Sequence, residues 1–263
     1  MYLLIDWGNT RLKFLLVEKL SAVANLQQSV EADTAMSVKD LVAQLKQSDN
    51  KENIDHVLIA SVRSDLDNQE LVEALNQSDV DLFVAKTSQH ACGVECAYQN
   101  PRQLGIDRWL AMIGGYQKMN RETDQAIGIV DVGSAITLDV VDPEGRHLGG
   151  HILPGKKLLS ESLLNTANVS IDNNLPASSG FKLGRSTVDC VNFGVEQMMF
   201  GYLINSMVAS NREYGVNQWV ITGGDSGYWL KLLRNSELLS QELNILHKPT
   251  VVFQGLAKLY LQQ

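Results

Sequence analysis

The sequence predicts an α/β protein that uses one structural plan twice. Strand-like apolar runs alternate along the chain with longer segments whose apolar residues recur at helical spacing. A glycine-containing turn that follows a carboxylate occurs in two of the strand-like regions, residues 3–18 and 127–145. A repeat of about 125 residues is far longer than a solenoid period and indicates two homologous domains. We place them at residues 1–122 and 123–263.

The amino-acid composition and net charge limit the classes of molecule that this protein is expected to bind. Hydrophobic residues make up 44% of the 263 residues and charged residues 20%, as in ordinary globular proteins. The 22 basic and 30 acidic side chains give a net charge of -8 without a basic block, so we expect no nucleic-acid partner. Apolar runs stay too short for a membrane span, and the first residues lack the pattern of a signal peptide. We therefore expect a cytoplasmic protein without a membrane partner.

The first copy of the repeated pattern, LLIDWGNTRLKFLLVE, predicts a β-hairpin with an acid near its tip. An apolar run ends at Asp6, a turn follows through Gly8 and Asn9, and strand-like alternation resumes around Lys13. We expect Gly8 to adopt a positive φ and Asn9 to tolerate one. A structural hairpin is the simpler interpretation of this stretch alone, and the second copy favours a functional role.

The second copy, IGIVDVGSAITLDVVDPEG, aligns Asp131 with Asp6 and Ser134 with Asn9. The other predicted elements are strands at 56–62 and 218–224 and helices at 36–48, 69–76, 101–119, 187–212, from 230 and from 251. The longest helix carries an apolar stripe of Val188, Val191, Val195, Met198, Tyr202 and Met207. We interpret this stripe as core or subunit interface rather than as a cofactor site.

The two acid-bearing turns suit a nucleotide phosphate and its cation. Backbone N–H groups of a glycine turn can hold phosphate oxygens, and a carboxylate at the strand end can hold the cation. Phosphoryl transfer also needs a base or orienting group at the acceptor hydroxyl. The GIDR segment offers Asp107 for that role and Arg108 for an anionic part of the substrate. An isolated aspartate at such a position is more often a solvated or salt-bridged helix acid.

Two glycine-containing segments carry weaker signals. GHILPGK at residues 150–156 matches G-x-x-x-x-G-K, but Lys157 stands where a P-loop needs Ser or Thr, and Pro154 removes a backbone donor. We interpret it as a turn between elements. The ITGGD segment ends a strand with Gly223 and Gly224, which would allow a backbone or a flat adenine ring to approach closely.

The three cysteines, Cys92, Cys96 and Cys190, show no diagnostic pattern. His90, Cys92 and Cys96 are close in sequence but lack a second ligand pair for tetrahedral zinc. We interpret all three cysteines as reduced thiols.

Six motifs together resemble the type III pantothenate kinases over essentially the whole chain. They are DWGNT at 6–10, YQNPRQLGIDR at 98–108, DVGSAIT at 131–137, GGHILPG at 149–155, GRST at 184–187 and TGGD at 222–225. The resemblance implies two duplicated ribonuclease-H-like domains of the sugar kinase, heat-shock and actin superfamily, with an interdomain active-site cleft. It also implies ATP-dependent phosphorylation of pantothenate to 4'-phosphopantothenate, the first step of coenzyme A biosynthesis.

The resemblance implies a role for each matching residue. The ATP-binding positions would be Asp6, Gly8, Asn9, Thr10, Lys13, Ser134, Gly223 and Gly224. The pantothenate-binding positions would be Tyr98, Gly105, Ile106, Asp107, Arg108 and Thr187. Asp107 would be the base that accepts the proton of the pantothenate primary hydroxyl.

The resemblance also implies cations and an assembly. Asp131 would hold a monovalent cation, K⁺ or NH₄⁺, and Asp6 would contact Mg²⁺ through the ATP phosphates. Thr187 would reach pantothenate from the neighbouring subunit of a homodimer.

Three positions depart from the family pattern. Ser134 stands where Thr is more frequent and keeps the hydroxyl. Trp7 replaces a smaller side chain, and His151 adds an imidazole to a loop that is commonly apolar. We expect the bulky Trp7 to alter the nucleotide side of the cleft, where the phosphate donor binds.

Two alternatives use the same scaffold. A non-catalytic transcriptional accessory or regulatory protein has no need for Asp6, Asp107 and Asp131 together, yet all three are present. An actin-like or sugar kinase relative predicts longer insertions, for which 263 residues leave little room.

Overall fold

The computed structural model describes residues 1–26, 29–32, 54–63, 80–123, 125–166, 181–239 and 243–263, together with positions 40 and 73. Apart from those two positions, the helices expected at 36–48 and 69–76 lie outside the described residues.

Strands and helices are mixed along the described part of the chain, with alternation clearest after residue 214. The strands are β1 (Tyr2–Trp7), β2 (Leu12–Val17), β3 (Val30–Ala32), β4 (His56–Ser61), β5 (Asp81–Val84), β6 (His90–Ala91), β7 (Val94–Glu95), β8 (Ile127–Val132), β9 (Ala135–Val141), β10 (His147–Pro154), β11 (Gln218–Thr222) and β12 (Asn244–His247). The α-helices are α1 (Ile106–Thr123), α2 (Lys156–Thr166), α3 (Thr187–Tyr214), α4 (Ser226–Arg234) and α5 (Val251–Leu261). Short 3₁₀ helices span Leu20–Asn25 and Pro101–Gln103. The predicted α/β class is confirmed.

The chain divides into two compact units. The first comprises Met1–Lys118, Gly145–His147 and Pro249–Gln263, and the second comprises Met119–Glu144 and Leu148–Lys248. Helix α5, although last in sequence, therefore packs within the first unit. The domain boundary expected between residues 122 and 123 stays a prediction.

The first unit is built on a sheet of order β3-β2-β1-β4-β5. Strand β1 runs antiparallel to β2 and parallel to β4. Its central residues Leu3, Leu4 and Ile5 are fully buried, because both faces of this strand are covered. The hairpin predicted around Asp6 is therefore joined to a parallel strand, which places the end of β1 beside the end of β4.

The second unit repeats this arrangement with a sheet of order β10-β9-β8-β11-β12. Strand β8 runs antiparallel to β9 and parallel to β11, as β1 does to β2 and β4. The order is the same when β8 takes the place of β1, as a plan used twice requires.

Helix α3 begins and ends at residues with clear capping roles. The Ser186 side chain accepts a hydrogen bond from the backbone N–H of Asp189, and Gly215 ends the helix with a left-handed φ of 68°. Val195 and Met207 of the predicted stripe lie in the core of the second unit. Met198 is 54% exposed, so at that position the stripe lies on the surface, and its use as a subunit interface stays a prediction.

Helices α1 and α5 cross closely in the first unit because both carry glycine at the contact. A Cβ on Gly114 would lie 2.2 Å from the carbonyl oxygen of Val251. A Cβ on Gly255 would lie 2.0 Å from the carbonyl oxygen of Leu110. Helix α5 therefore braces the helix that carries Asp107. None of the described helices has both the length and the apolar character needed to cross a membrane.

Candidate active site

Asp6 is the fifth residue of β1 and lies where this strand leaves the buried sheet. It faces Lys13 across the antiparallel pair and Ala60 across the parallel pair. Burial raises the pKa of Asp6 from the usual 3.8 to about 6; the charge of Lys13 opposes this shift and that of Asp107 adds to it. The structure thus brings Asp6 and Asp107 close enough for their charges to interact.

The turn after Asp6 differs from the expected one. The backbone N–H of Gly8 donates to the carbonyl oxygen of Arg11 at 2.9 Å. The expected positive φ at Gly8 is wrong, since the positive-φ glycines of the described chain do not include it. A Cβ on Gly8 would lie 3.2 Å from that carbonyl, so close backbone approach is the reason for glycine here. Asn9 and Thr10 are exposed at the tip.

Asp107 lies in the first turn of α1, where a helix N-terminus favours negative charge. One carboxylate oxygen accepts a hydrogen bond from the backbone N–H of Arg108 at 2.8 Å. A Cβ on Gly105 would lie 2.6 Å from the same oxygen, so the glycine makes room for the carboxylate. Ile106 is buried and anchors the segment.

Arg108 and Tyr98 contact each other in the first unit. A terminal nitrogen of Arg108 donates to the Tyr98 hydroxyl at 3.0 Å, and the guanidinium lies 5.8 Å from the ring centroid. Arg108 is 5% exposed. The Tyr98 ring also stacks on His147 at 6.2 Å between centroids. His147 was missed at the sequence level, since a single histidine after a turn carries no distinguishing signal.

Asp131 occupies in β8 the position that Asp6 occupies in β1. It faces Thr137 across the antiparallel pair and Thr222 across the parallel pair. The residue opposite Asp6 is a lysine, whereas the residue opposite Asp131 is a neutral threonine. The two equivalent carboxylates therefore lie in different electrostatic surroundings.

The TGGD loop packs on Asp131. Gly223 has a φ of 98°, and a Cβ there would lie 2.4 Å from a carboxylate oxygen of Asp131. The same Cβ would lie 2.3 Å from the carbonyl oxygen of Val132, which also accepts from the backbone N–H of Asp225 at 3.0 Å. The glycine thus accommodates the chain's own strand β8, one of the two close approaches expected from the sequence.

The DVGS turn lies against the GGHILPG segment. The backbone N–H of Gly155 donates to the carbonyl oxygen of Ser134 at 2.9 Å, and a Cβ on Gly155 would lie 2.1 Å from the carbonyl oxygen of Gly133. The Ser134 side chain is exposed beside this contact. GHILPGK is therefore the junction at which β10 ends at Pro154 and α2 begins at Lys156, rather than a simple turn.

Thr187 is the exposed first residue of α3, in the second unit. It lines a groove of about 540 Å³ between α2 and α3, whose other walls include Leu163, Cys190 and Met198. Leu163 and Met198 are both 54% exposed. Thr187 thus lies beside an open apolar surface.

The two unusual aromatic positions have neighbours of their own. The Arg63 guanidinium lies 5.4 Å from the Trp7 ring, and Trp7 packs against the core of the first unit. His151 makes a 3.0 Å hydrogen bond with the Tyr202 hydroxyl in the second unit. Cys96 is buried, and its sulfur accepts from the backbone N–H of Tyr98 at 3.4 Å.

Comparison with known proteins gives one consistent family. The sequence pattern of the type III pantothenate kinases matches residues 2–210. A type III pantothenate kinase from Chromohalobacter salexigens is 33% identical over 265 residues, which covers 97% of this chain and 86% of that protein. One from Cellvibrio japonicus is 36% identical over 233 residues, covering 86% of this chain and 87% of that protein.

Solved structures show the same fold at low identity. An inorganic polyphosphate/ATP-glucomannokinase from Arthrobacter has a TM-score of 0.54 at 12% identity, with 100% of both chains covered. An ethanolamine utilization protein from Carboxydothermus hydrogenoformans has a TM-score of 0.51 at 12% identity, covering 98% of this chain and 89% of that chain. At such identities the similarity shows the fold alone.

Proposed function

The chain belongs to the type III pantothenate kinase family, and on that premise we propose how its residues carry out ATP-dependent phosphorylation of pantothenate, the first step of coenzyme A biosynthesis. The relatives' shared name and the match over residues 2–210 support a kinase, and they do not favour a non-catalytic regulator. The single observation that carries the assignment of roles is that Asp6 and Asp107 lie within electrostatic reach of each other in one unit.

Asp107 is the base that accepts the proton of the pantothenate primary hydroxyl. Its first-turn position and the hydrogen bond from the backbone N–H of Arg108 hold the carboxylate in place. The charge of Asp6 nearby fits a site that receives phosphate and its cation. Because most catalysis in phosphoryl transfer comes from positioning and charge neutralisation, Asp107 acts mainly by orienting the acceptor hydroxyl.

The acceptor pocket uses the residues around Asp107. Tyr98, Gly105, Ile106 and Arg108 line it, and Thr187 completes it from the neighbouring subunit of a homodimer. Arg108 is held by the Tyr98 hydroxyl, so its guanidinium is preorganised for the pantothenate carboxylate. The apolar groove beside Thr187 supports a subunit contact at α2 and α3.

ATP uses the two equivalent turns. Asp6, Gly8, Asn9, Thr10 and Lys13 bind its phosphates, with Asp6 contacting Mg²⁺ through them. The remaining ATP-binding positions are Ser134, Gly223 and Gly224. Magnesium supplies charge neutralisation on the transferring phosphoryl group when it is bound. We expect a cytoplasmic location, as for an enzyme of coenzyme A biosynthesis.

Asp131 holds the monovalent cation, K⁺ or NH₄⁺. A carboxylate and a hydroxyl are oxygen donors suited to such a cation. Asp131 provides the carboxylate, and Thr137 faces it across the strand pair. Lys13, which faces Asp6, makes the equivalent position in the first unit less suitable.

A coupled assay of ADP release, with pantothenate and ATP and with or without potassium, tests these roles. We expect potassium-stimulated turnover, and we expect Asp107→Asn to lower kcat by about 10²- to 10⁴-fold with the fold intact. Glu213→Gln, an exposed carboxylate near the end of α3, is the matched control. Near-normal turnover of Asp107→Asn would overturn the assignment of the base. Equal rates in potassium and in choline chloride would overturn the cation at Asp131.

A further inference from the structure

His247 and Ser226 form a hydrogen-bonded pair behind the TGGD loop, within the second unit. His247 ends β12, and Ser226 begins α4. The Nε2 atom of His247 lies 2.9 Å from the Ser226 hydroxyl oxygen, which in turn lies 2.6 Å from the carbonyl oxygen of Gly223. Ser226 is 2% exposed, so solvent competes little for these contacts.

The two contacts assign the protons. A carbonyl oxygen only accepts, so the Ser226 hydroxyl proton points to Gly223. A serine hydroxyl has one proton, and it must therefore accept from His247, whose Nε2 carries a hydrogen. The result is a directed chain in which His247 donates to Ser226 and Ser226 donates to Gly223. The backbone N–H of Ser226 adds a second, longer contact of 3.2 Å to the same carbonyl.

Gly223 connects this chain to Asp131. Its Cα lies so close to the Asp131 carboxylate that an added Cβ would be 2.4 Å from the nearer oxygen. A shift of the Gly223 carbonyl therefore changes the space beside Asp131 and the course of the backbone into Gly224. The loop is attached to β8 on its other side by the hydrogen bond from Asp225 to Val132.

We propose that His247 is a positioning residue for the nucleotide site, which through Ser226 holds Gly223 and Gly224 against Asp131. This inference rests on the proposed function, in which these glycines and Asp131 serve ATP binding. His247 itself lies behind the loop and acts only through Ser226.

The electrostatic surroundings agree with this role. Burial lowers the pKa of His247, and the charge of Arg234 lowers it further. Both effects favour the neutral imidazole. A neutral ring with its hydrogen on Nε2 makes the donation that the directed chain needs.

Steady-state kinetics of His247→Phe, His247→Gln and Ser226→Ala test the proposal. Phe removes the donor, whereas Gln keeps an N–H at a similar distance from the backbone. We expect His247→Phe to raise KM for ATP by about tenfold, as for other residues that orient a binding group. KM for pantothenate at saturating ATP should stay within about twofold, and His247→Gln should restore most of the ATP affinity. Adding Ser226→Ala to His247→Phe should cause little further change, because both break the same chain.

His56→Phe is the matched control, since His56 also makes side-chain hydrogen bonds, to Asp81 and Tyr260 in the first unit. It should lower Tm without changing KM for ATP. The proposal is overturned if His247→Phe changes only Tm, as the control does, or if His247→Gln fails to recover ATP affinity. Absence of turnover in the parent protein would defeat the proposed function instead. In that case, calorimetric titration with MgATP would test the role of His247. Equal ATP affinity of His247→Phe and the parent protein, or no ATP binding by either, would overturn it.

Discussion

At the scale of a single residue, the Asp6 carboxylate lowers the stability of the fold but is needed for the proposed function. Its pKa is raised to about 6, mainly because burial disfavours the carboxylate. The folded protein is therefore more stable with Asp6 protonated, whereas cation binding needs the ionised carboxylate. The first unit holds this carboxylate ionised at neutral pH at the expense of stability.

We expect Asp6→Asn to stabilise the protein while abolishing activity. The folded pKa lies above the usual 3.8, so the contribution of the protonated carboxyl to stability is present below pH 3.8 and is lost as the pH rises through about 6. Asn mimics the protonated form and keeps that contribution. Urea unfolding should show a gain of about 1–3 kcal/mol at pH 7.5 and a much smaller gain at pH 4. A pH-independent difference would contradict this explanation.

Single residues also show what the sequence could and could not predict. The positions of Asp6 and Asp131 followed from a repeated local pattern, because strand pairing turns equal sequence positions into equal places in the sheets. The prediction of a positive φ at Gly8 was wrong because a glycine can serve either a turn or a close backbone contact. The sequence alone does not distinguish these two uses. His147 and His247 were not predicted, since their roles depend on neighbours far away in sequence.

At the scale of elements, a partly buried ion pair joins α2 and α3. Lys156 Nζ lies 2.5 Å from a carboxylate oxygen of Glu196, whose side chain is 3% exposed. Tyr228 of α4 contacts the same carboxylate, and burial together with that hydrogen bond raises the pKa of the phenol. Three helices of the second unit thus meet at one carboxylate.

Lys156→Met should destabilise the protein by about 3 kcal/mol, because it leaves Glu196 buried without its cation. Lys157→Met is the control: Lys157 is paired with Glu161 at 3.7 Å on the surface of the same helix, and its loss should cost about 0.5 kcal/mol or less. Adding Glu196→Leu to Lys156→Met should recover most of the loss. Equal effects of the two single lysine variants in urea unfolding would show that the burial of Glu196 gives the Lys156 pair no special role.

The crossing of α1 and α5 gives a second prediction at this scale. Gly255→Ala should destabilise by about 1–3 kcal/mol, since its Cβ would collide with the backbone of α1. Gly201→Ala in α3 meets no neighbouring atom and should stabilise by about 0.5–1 kcal/mol through helix propensity. Thermal unfolding of both variants checks the contrast, and a gain in Gly255→Ala would refute the close crossing.

The elements themselves were predicted with uneven success. Helix α3 was found from its apolar spacing, with its end near the predicted 212. Spacing could not distinguish the core from the apolar surface of the groove, because Met198 serves the second and Met207 the first. The GHILPGK segment was interpreted as a turn because glycine and proline are typical of turns. They are equally typical of a strand that leads into a helix, which is the arrangement found here.

At the scale of the whole molecule, the two sheets have the same strand order, which agrees with the repeated pattern in the sequence. The set of chain segments that form the first unit could not be predicted in the same way. Residues Gly145–His147 and Pro249–Gln263 join it from distant parts of the sequence. Sequence periodicity gives the type of an element, not the unit against which it packs.

The proposed dimer makes a prediction at this scale. Asp107→Asn and Thr187→Ala should each lower activity, and coexpression of the two chains should restore part of it. In a mixed dimer, the chain with intact Asp107 receives intact Thr187 from its neighbour, so one of the two sites is complete. Purified mixed dimers that are no more active than the single variants would place Thr187 outside the neighbouring site.

The place of α5 in the first unit also has a consequence for synthesis. The ribosome delivers the strands of the first sheet before the second unit and α5 after it, yet Thr250 bonds to the carbonyl oxygen of Leu26 and Tyr260 bonds to Asp81. The first unit therefore completes its core only after the second has been translated. Its apolar strands are thus translated long before the helix that packs on them, and we expect them to stay open to aggregation until α5 has emerged.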